Sequence, residues 1–275
     1  MKRVLVVLLV LLLTVFLVAC GNGNNEETSA NEPSGNRQDD QVSDGLTQEG
    51  KKSEIICDNY NAFKDAQKIY DDYVLEQSHS HEVVSVMLGY VTVNNLRILN
   101  YLLPLEFYGQ SLKTLNKIDL SFETNMLRVA WADDAELIYN EGSGYLLKGT
   151  DTNGNILEVK TKYDKNTDSL HVEGYKDGTL DLVFEYCKTA GGYAAQYYFE
   201  TIIGYDKATA IEGWCTYRTI FGGYNGSCAR FDNVTSEPVA IFANAPDAES
   251  FIAGATHWFT IKDGQFLGKL KEKEF

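Results

Sequence analysis

The chain has 275 residues, 44% hydrophobic and 12% aromatic, enough to fill a substantial core and too apolar for wholesale disorder. Its 24 Lys and Arg stand against 39 Asp and Glu, a formal net charge of −15 at pH 7. That balance excludes a generic binder of phosphate backbones, which needs a basic surface to displace counterions, so no nucleic-acid partner is expected.

The first segment is Met1-Lys2-Arg3 followed by an uncharged apolar run from Val4 to Val18, with the small residue Ala19 behind it. A basic start, an apolar centre and a small residue at the cut form the pattern of an export signal; a spanning helix needs about 20 apolar residues. Residues 1–19 are therefore expected to be removed as a signal peptide.

Leu17-Val18-Ala19-Cys20 stands directly after the apolar run and resembles the lipobox of bacterial lipoprotein precursors. The resemblance implies that the Cys20 sulfur receives a diacylglyceryl group, that cleavage occurs just before Cys20, and that Cys20 becomes the mature N-terminus. Acyl chains on Cys20 would then hold the protein to a membrane outside the cytoplasm, since two chains anchor stably where one is marginal. Gly21 follows the cysteine, which leaves the type of envelope open.

From Gly21 to Ser53 there is no aromatic residue, and Ala30, Val42 and Leu46 are the only apolar side chains. Too little apolar area exists there to offset backbone entropy, so residues 20–53 read as a lipidated cysteine and a disordered tether. At about 5–6 Å × √n, such a tether reaches roughly 30 Å. It carries seven acids against three bases, and with Lys2 and Arg3 also set aside residues 54–275 retain a net charge of −13. An acidic body is repelled by anionic lipid, so attachment falls to the acyl chains rather than to a basic face.

Residues 54–275 read as a single α+β domain. Phe63, Ala66, Ile69, Tyr70 and Tyr73 keep helical spacing over 58–76, with Asp58 as the expected N-cap. Val84, Met87, Leu88, Val91, Ile98, Leu99 and Leu102 continue a helical stripe over 82–103, ended by Pro104, with a strand pair around Tyr90–Val93 and an Asn94-Asn95 turn as the competing reading. The helical region is set at 58–117.

After about residue 125 the apolar period changes from 3.6 to 2. Leu157, Val159, Thr161 and Tyr163 alternate with Glu158, Lys160 and Lys162, while Leu180, Leu182, Phe184 and Tyr186 alternate with Asp181, Glu185 and Cys187. Asn153-Gly154, Asp177-Gly178 and Asp263-Gly264 are tight-turn dipeptides. Strands are expected at 136–140, 143–151, 155–163, 168–176, 179–188, 192–203, 213–221, 226–232 and 256–262. Connections this short exclude parallel crossovers, so 125–275 reads as a large antiparallel β-meander with one wet face, its other face packed by the N-terminal helices. In its curved form this architecture is similar to the half-barrel lipoprotein-localisation carriers, which hold an acyl chain between sheet and helices; the likeness is architectural and rests on no shared motif.

Cysteine chemistry is limited once Cys20 is assigned to lipid. Cys57, Cys187, Cys215 and Cys228 would lie in an oxidising compartment, and no two have CxxC spacing. If Gly222-Gly223-Tyr224-Asn225 forms a hairpin turn, Cys215 and Cys228 sit four residues out of register, too far for a disulfide. Two readings stay open: buried free thiols, or a disulfide, for which the favoured pairing joins Cys187 to Cys215 or Cys228.

His79-Ser80-His81-Glu82 reads as a polar connection with Ser80 as N-cap rather than a metal site, and no metal or other cofactor is expected. His171 and Glu173 read as a solvated pair, and His257 as a core-edge residue. Asp151-Thr152-Asn153-Gly154-Asn155 fits a hairpin turn better than a calcium loop, and Asp133-Asp134 is a carboxylate pair without a second catalytic group. No nucleophile, phosphate or zinc-protease motif is present, so no catalytic residue is assigned and a binding role is favoured over an enzyme.

The remaining unusual feature is aromatic density over residues 193–224. Rings on the sheet face turned away from the core would form a stacking platform for sugars or a lining for an apolar ligand; rings on the other face are packing. Tyr193, Tyr197, Tyr198, Trp214 and Tyr217 are the candidate ligand-binding residues. The function expected is a lipid-anchored extracytoplasmic protein that binds an apolar or glycan ligand between sheet and helices. The alternative is an envelope structural or protein-interaction module that uses the exposed sheet face.

Overall fold

The computed structural model describes residues 48–89, 101–102, 105, 120–140, 144–203, 211–270 and 273–274, all within the compact unit Thr47–Phe275. Helix α1 spans Gln48–Gln77. It starts ten residues before the expected helix, so Asp58 lies inside it and is not the N-cap, and residues 48–53 are helical rather than part of a disordered tether. Gln, Glu and Lys are good helix formers, and adding residues to an existing helix costs far less than starting one. Counting apolar side chains missed that. Residues 82–89 form α2, and residues 101 and 102 are also helical. The Tyr90–Val93 alternative, Cys20 and the rest of the tether lie outside the described residues.

Helix α3 spans Leu120–Ala130, so the meander begins at Glu136 and not near residue 125. Leu127 is fully buried, and Met126 and Ala130 pack beside it, a helical spacing that the strand reading overlooked.

Eleven strands follow: β1 Glu136–Asn140, β2 Gly144–Thr150, β3 Ile156–Asp164, β4 Ser169–Lys176, β5 Thr179–Lys188 and β6 Tyr193–Ile203, then β7 Ile211–Gly222, β8 Asn225–Phe231, β9 His257–Lys262, β10 Gln265–Leu270 and β11 Lys273–Glu274. They form one antiparallel sheet in strict sequence order, an unclosed up-and-down meander. The turns follow from residues that accept left-handed backbone: Asp177 and Gly178 (φ 51° and 78°) join β4 to β5, and Asp263 and Gly264 (51° and 76°) join β9 to β10. Only β10 and β11, which lack an alternating apolar pattern, were not foreseen among the strands. Helix α4, Ala248–Ile252, interrupts the connection between β8 and β9, with Asp247 Oδ1 accepting from the Ser250 amide at 3.0 Å.

The side chains alternate across two faces. Phe184, Tyr186, Tyr193, Tyr197, Tyr217 and Phe221 point inward, into the main core, together with Phe63 and Tyr70 of α1. Phe63 stacks on Tyr186 with centroids 4.3 Å apart, and Tyr70 stacks on Phe221 at 5.4 Å. Ile69, expected in the apolar stripe, is 49% exposed, and Val74 is buried instead. Gly174 provides room for Tyr101, because a Cβ there would come within 2.5 Å of its ring; the Tyr101 hydroxyl donates to Asp181.

The outward face of β5 to β7 is wet only in part, at Glu200, Ile202 and Glu212, where one wholly wet face is expected. A strap, residues 232–256, lies across it and buries Ile241 and Phe251 against Cys187, Ala194 and Ile220. The strap has only one short helix and no periodic pattern, so nothing in its sequence revealed that it covers the sheet.

Candidate functional site

Antiparallel register sets polar side chains in one row across the outward face. His171 of β4 stands opposite Glu185 of β5, Glu185 opposite Gln196 of β6, and Gln196 opposite Arg218 of β7. Neighbours in such a row are about 5 Å apart, within reach of direct hydrogen bonds.

The bonds form along the whole row. Glu185 is 1% exposed and accepts at both oxygens: His171 Nδ1 lies 2.6 Å from Oε1, and Gln196 Nε2 donates to Oε2 at 2.8 Å. Arg218 Nε donates to Gln196 Oε1 at 3.3 Å, and its guanidinium lies over the rings of Phe231 and Phe251 at 4.9 and 4.8 Å. His171 Nε2 meets Glu173 Oε1 at 3.1 Å, and the Tyr175 hydroxyl donates to Glu173 Oε2 at 2.8 Å. The solvated pair of His171 and Glu173 is thus part of a larger buried network.

Three members of the row also hold the backbone of the strap. The Ile241 amide donates to Glu185 Oε2 at 2.9 Å, Gln196 Nε2 donates to the Val239 carbonyl at 2.8 Å, and Arg218 donates to the Phe251 carbonyl at 3.0 Å. A buried carboxylate is costly unless its lone pairs are satisfied, and here they are. Burial raises the Glu185 pKa, but the bonds from His171, Ile241 and Gln196 outweigh it and leave the carboxyl below its ordinary value. Burial lowers the His171 pKa, and its bonds to Glu185 and Glu173 outweigh that and leave it raised.

Chemically, this network is a tie. Both nitrogens of His171 and both oxygens of Glu185 are engaged within the fold, so neither presents a reactive atom to a substrate. Among the described residues no group of three or more His, Cys, Asp or Glu is arranged to hold a metal. His81 stacks on Phe266 at 4.4 Å, which accounts for it as a docking contact of the α1–α2 connection. Asp151 accepts from the amides of Asn153 and Asn155 and from the Asn155 side chain, a hairpin turn. Asp134 accepts from the amide and hydroxyl of Thr150, both at 2.7 Å. His257 is 2% exposed and lies 3.6 Å from Asp232, which also takes the Arg230 Nε hydrogen bond at 2.5 Å.

The favoured disulfide does not form. Cys187, Cys215 and Cys228 are buried thiols, with Cys187 under the strap and the other two in the main core, on opposite faces of the sheet. Thr219 pairs with Cys228 and Thr216 with Phe231, which keeps Cys215 and Cys228 out of register. The Cys57 side chain lies outside the described residues. Burial pushes the thiols of Cys187 and Cys228 up to about 11, so both are poor nucleophiles.

The five candidate rings divide between the faces. Tyr193, Tyr197 and Tyr217 point inward and are 6%, 2% and 3% exposed. Phe63 meets Tyr193 edge-on at 5.4 Å, Tyr197 stacks on Phe184 at 4.8 Å, and Gln67 donates to the Tyr197 hydroxyl at 3.4 Å. Tyr198 and Trp214 point outward and stack on each other at 4.4 Å and 26°. Beside them, across the same two strands, Glu200 faces Trp214 and Ile202 faces Glu212. Ile202 is 63% exposed, and Val239 of the strap is 85% exposed. The sequence showed that both faces of β6 carry rings but not which ones would be covered.

The chain matches no protein-family model, no curated protein and no solved structure.

Proposed function

We propose that this chain is a lipid-anchored extracytoplasmic binding protein, held to its membrane by acyl chains on Cys20, that engages its partner on the outward face of the sheet. The single observation that carries the binding face is the division of the rings. Tyr193, Tyr197 and Tyr217 are used up in packing beneath α1, while on the opposite face Tyr198, itself 7% exposed, supports the partly exposed Trp214 next to the exposed Ile202. The space between helix and sheet around Phe63 is occupied by side chains in ring contact, which favours the exposed-face module over a ligand held between the layers. In this reading α1 and α2 serve in the second layer of a half-barrel, and the polar row fixes the strap that borders the binding face. No described helix is long and apolar enough to cross a membrane, and attachment is assigned to the lipid alone.

The test uses the full chain in detergent and follows its thermal unfolding with lipids, glycans and peptides. A partner that binds the folded state raises the melting temperature. The reading expects such a shift, lost in Tyr198→Ala and Trp214→Ala and kept in Tyr197→Phe. A shift that survives both alanine variants contradicts it.

A further inference from the structure

Resting on the outward-face reading, we propose that the ridge formed by Trp214, Ile202 and Val239, with Tyr198 buried against Trp214 as its support, takes a cationic amphipathic segment of a partner protein. The apolar part is continuous in register. Tyr198 and Trp214 are diagonal neighbours in mutual ring contact, and Ile202 lies four residues beyond Tyr198 on the same face of β6. Val239 reaches the same region because its carbonyl is held by Gln196, two residues before Tyr198.

Charge selects the partner. Ile202 faces Glu212, and Glu237 of the strap lies close enough to Tyr198 to help burial raise its phenol pKa. Both glutamates are exposed, and the body around them carries −13. An acidic rim around an apolar ridge is complementary to a segment that alternates Lys or Arg with large apolar side chains, and the surrounding field steers such a segment inward.

A sugar is a poorer fit. Stacking a pyranose needs an open ring face, but Tyr198 is 7% exposed and one face of Trp214 is already covered by Tyr198. An anionic bilayer surface is disfavoured by the same charge that favours a cationic peptide.

The experiment measures binding of the full chain in detergent to a lysine–leucine amphipathic peptide, to its glutamate–leucine counterpart, and to an oligomer of N-acetylglucosamine. The lysine–leucine peptide is expected to bind, more weakly as salt rises, and to lose about tenfold in affinity on Glu212→Lys or Trp214→Ala. Reversing a distant charge, Glu274→Lys on β11, should cost much less. Equal binding of the glutamate–leucine peptide, no binding of the lysine–leucine peptide, or equal losses from Glu212→Lys and Glu274→Lys each overturn the proposal. Sugar binding that depends on Trp214 overturns the cationic partner and leaves the outward face standing as the binding site. Binding of any probe that ignores Trp214→Ala and Ile202→Asp removes both.

Discussion

Glu185 Oε2 accepts a hydrogen bond from the backbone amide of Ile241, 56 residues later in the chain, at 2.9 Å. Through that bond a carboxylate in the middle of the sheet holds down a connection that has almost no secondary structure of its own. Removing the acceptor leaves the Ile241 amide, Gln196 and His171 short of a partner in a place water does not readily reach. Glu185→Ala is expected to destabilise the protein by about 3 kcal/mol or more, read by denaturant unfolding, because each buried polar group left unsatisfied costs about 1–3 kcal/mol. A loss below about 1 kcal/mol would mean the strap is held by the Gln196 and Arg218 bonds and the packing of Ile241 and Phe251 without the Glu185 tie.

The same tie sets a pH window. The His171 pKa is raised from its ordinary 6.5, so its contribution is complete below 6.5 and is lost as pH rises through the folded-state value. The Glu185 pKa is lowered from 4.5, so its contribution is complete above 4.5 and is lost as pH falls through the folded-state value. Hydrogen exchange at the Ile241 amide should therefore be most protected, relative to a core strand, between pH 4.5 and 6.5, and His171→Gln should flatten the loss on the alkaline side.

Asp71 of α1 should act in the opposite sense to a stabilising ion pair. Burial and the neighbouring Asp72 raise its carboxyl to about 7. A raised value means that stability is highest below the ordinary 3.8 and declines as pH rises through about 7, where an ionised carboxylate is forced into a half-buried position. Asp71→Asn is expected to raise stability at pH 8 by about 1–2 kcal/mol, after allowance for solvent screening, and to change little at pH 4. An equal gain at both values would place the effect in packing and not in charge.

Phe63 is a fully buried anchor of α1, in contact with Tyr186, Tyr193, Phe184 and Phe221. Phe63→Ala should cost about 3–5 kcal/mol, the usual price of emptying a large buried site. Calorimetry of the full chain measures it; a loss under about 1 kcal/mol would show that the helix is not a stabilising layer on the sheet.

Cys187 reports on the strap chemically. In the folded protein it should resist alkylation, as should Cys215 and Cys228. In Glu185→Ala, Cys187 should become reactive first, because only the strap covers it, whereas the other two lie in the main core. Simultaneous exposure of all three thiols would show that the strap and the core unfold as one unit.

The meander was legible because strand alternation and Asp-Gly turns are local signals: the ends of β3, β5 and β6 fall within a residue of expectation. Helix α3 is hard to read because its short apolar set, Met126, Leu127 and Ala130, directly precedes the strand period, and the start of α1 because it rests on helix propensity in a polar stretch and not on an apolar pattern. The polar row could not be read, because it depends on cross-strand register. His171, Glu185, Gln196 and Arg218 become neighbours only when four strands are aligned. In sequence, Glu185 sits where any solvated residue of an alternating strand would. The burial of the outward face came from the strap, whose contacts are long-range and whose composition is that of an ordinary loop. Among the rings, alternation correctly put Tyr197 and Tyr198 on opposite faces, and only the packing of Phe63 and Tyr70 shows which of those faces is the core.

The most direct test of the proposed outward binding face is photo-crosslinking in cells that produce the protein. A photoreactive side chain at position 202, in β6 beside Trp214, is compared with one at position 156, at the start of β3, where the native isoleucine is equally exposed. The account predicts a discrete crosslinked species from position 202, absent from position 156 and abolished by Trp214→Ala. The same species from both positions, or one from position 202 that persists in Trp214→Ala, would contradict it.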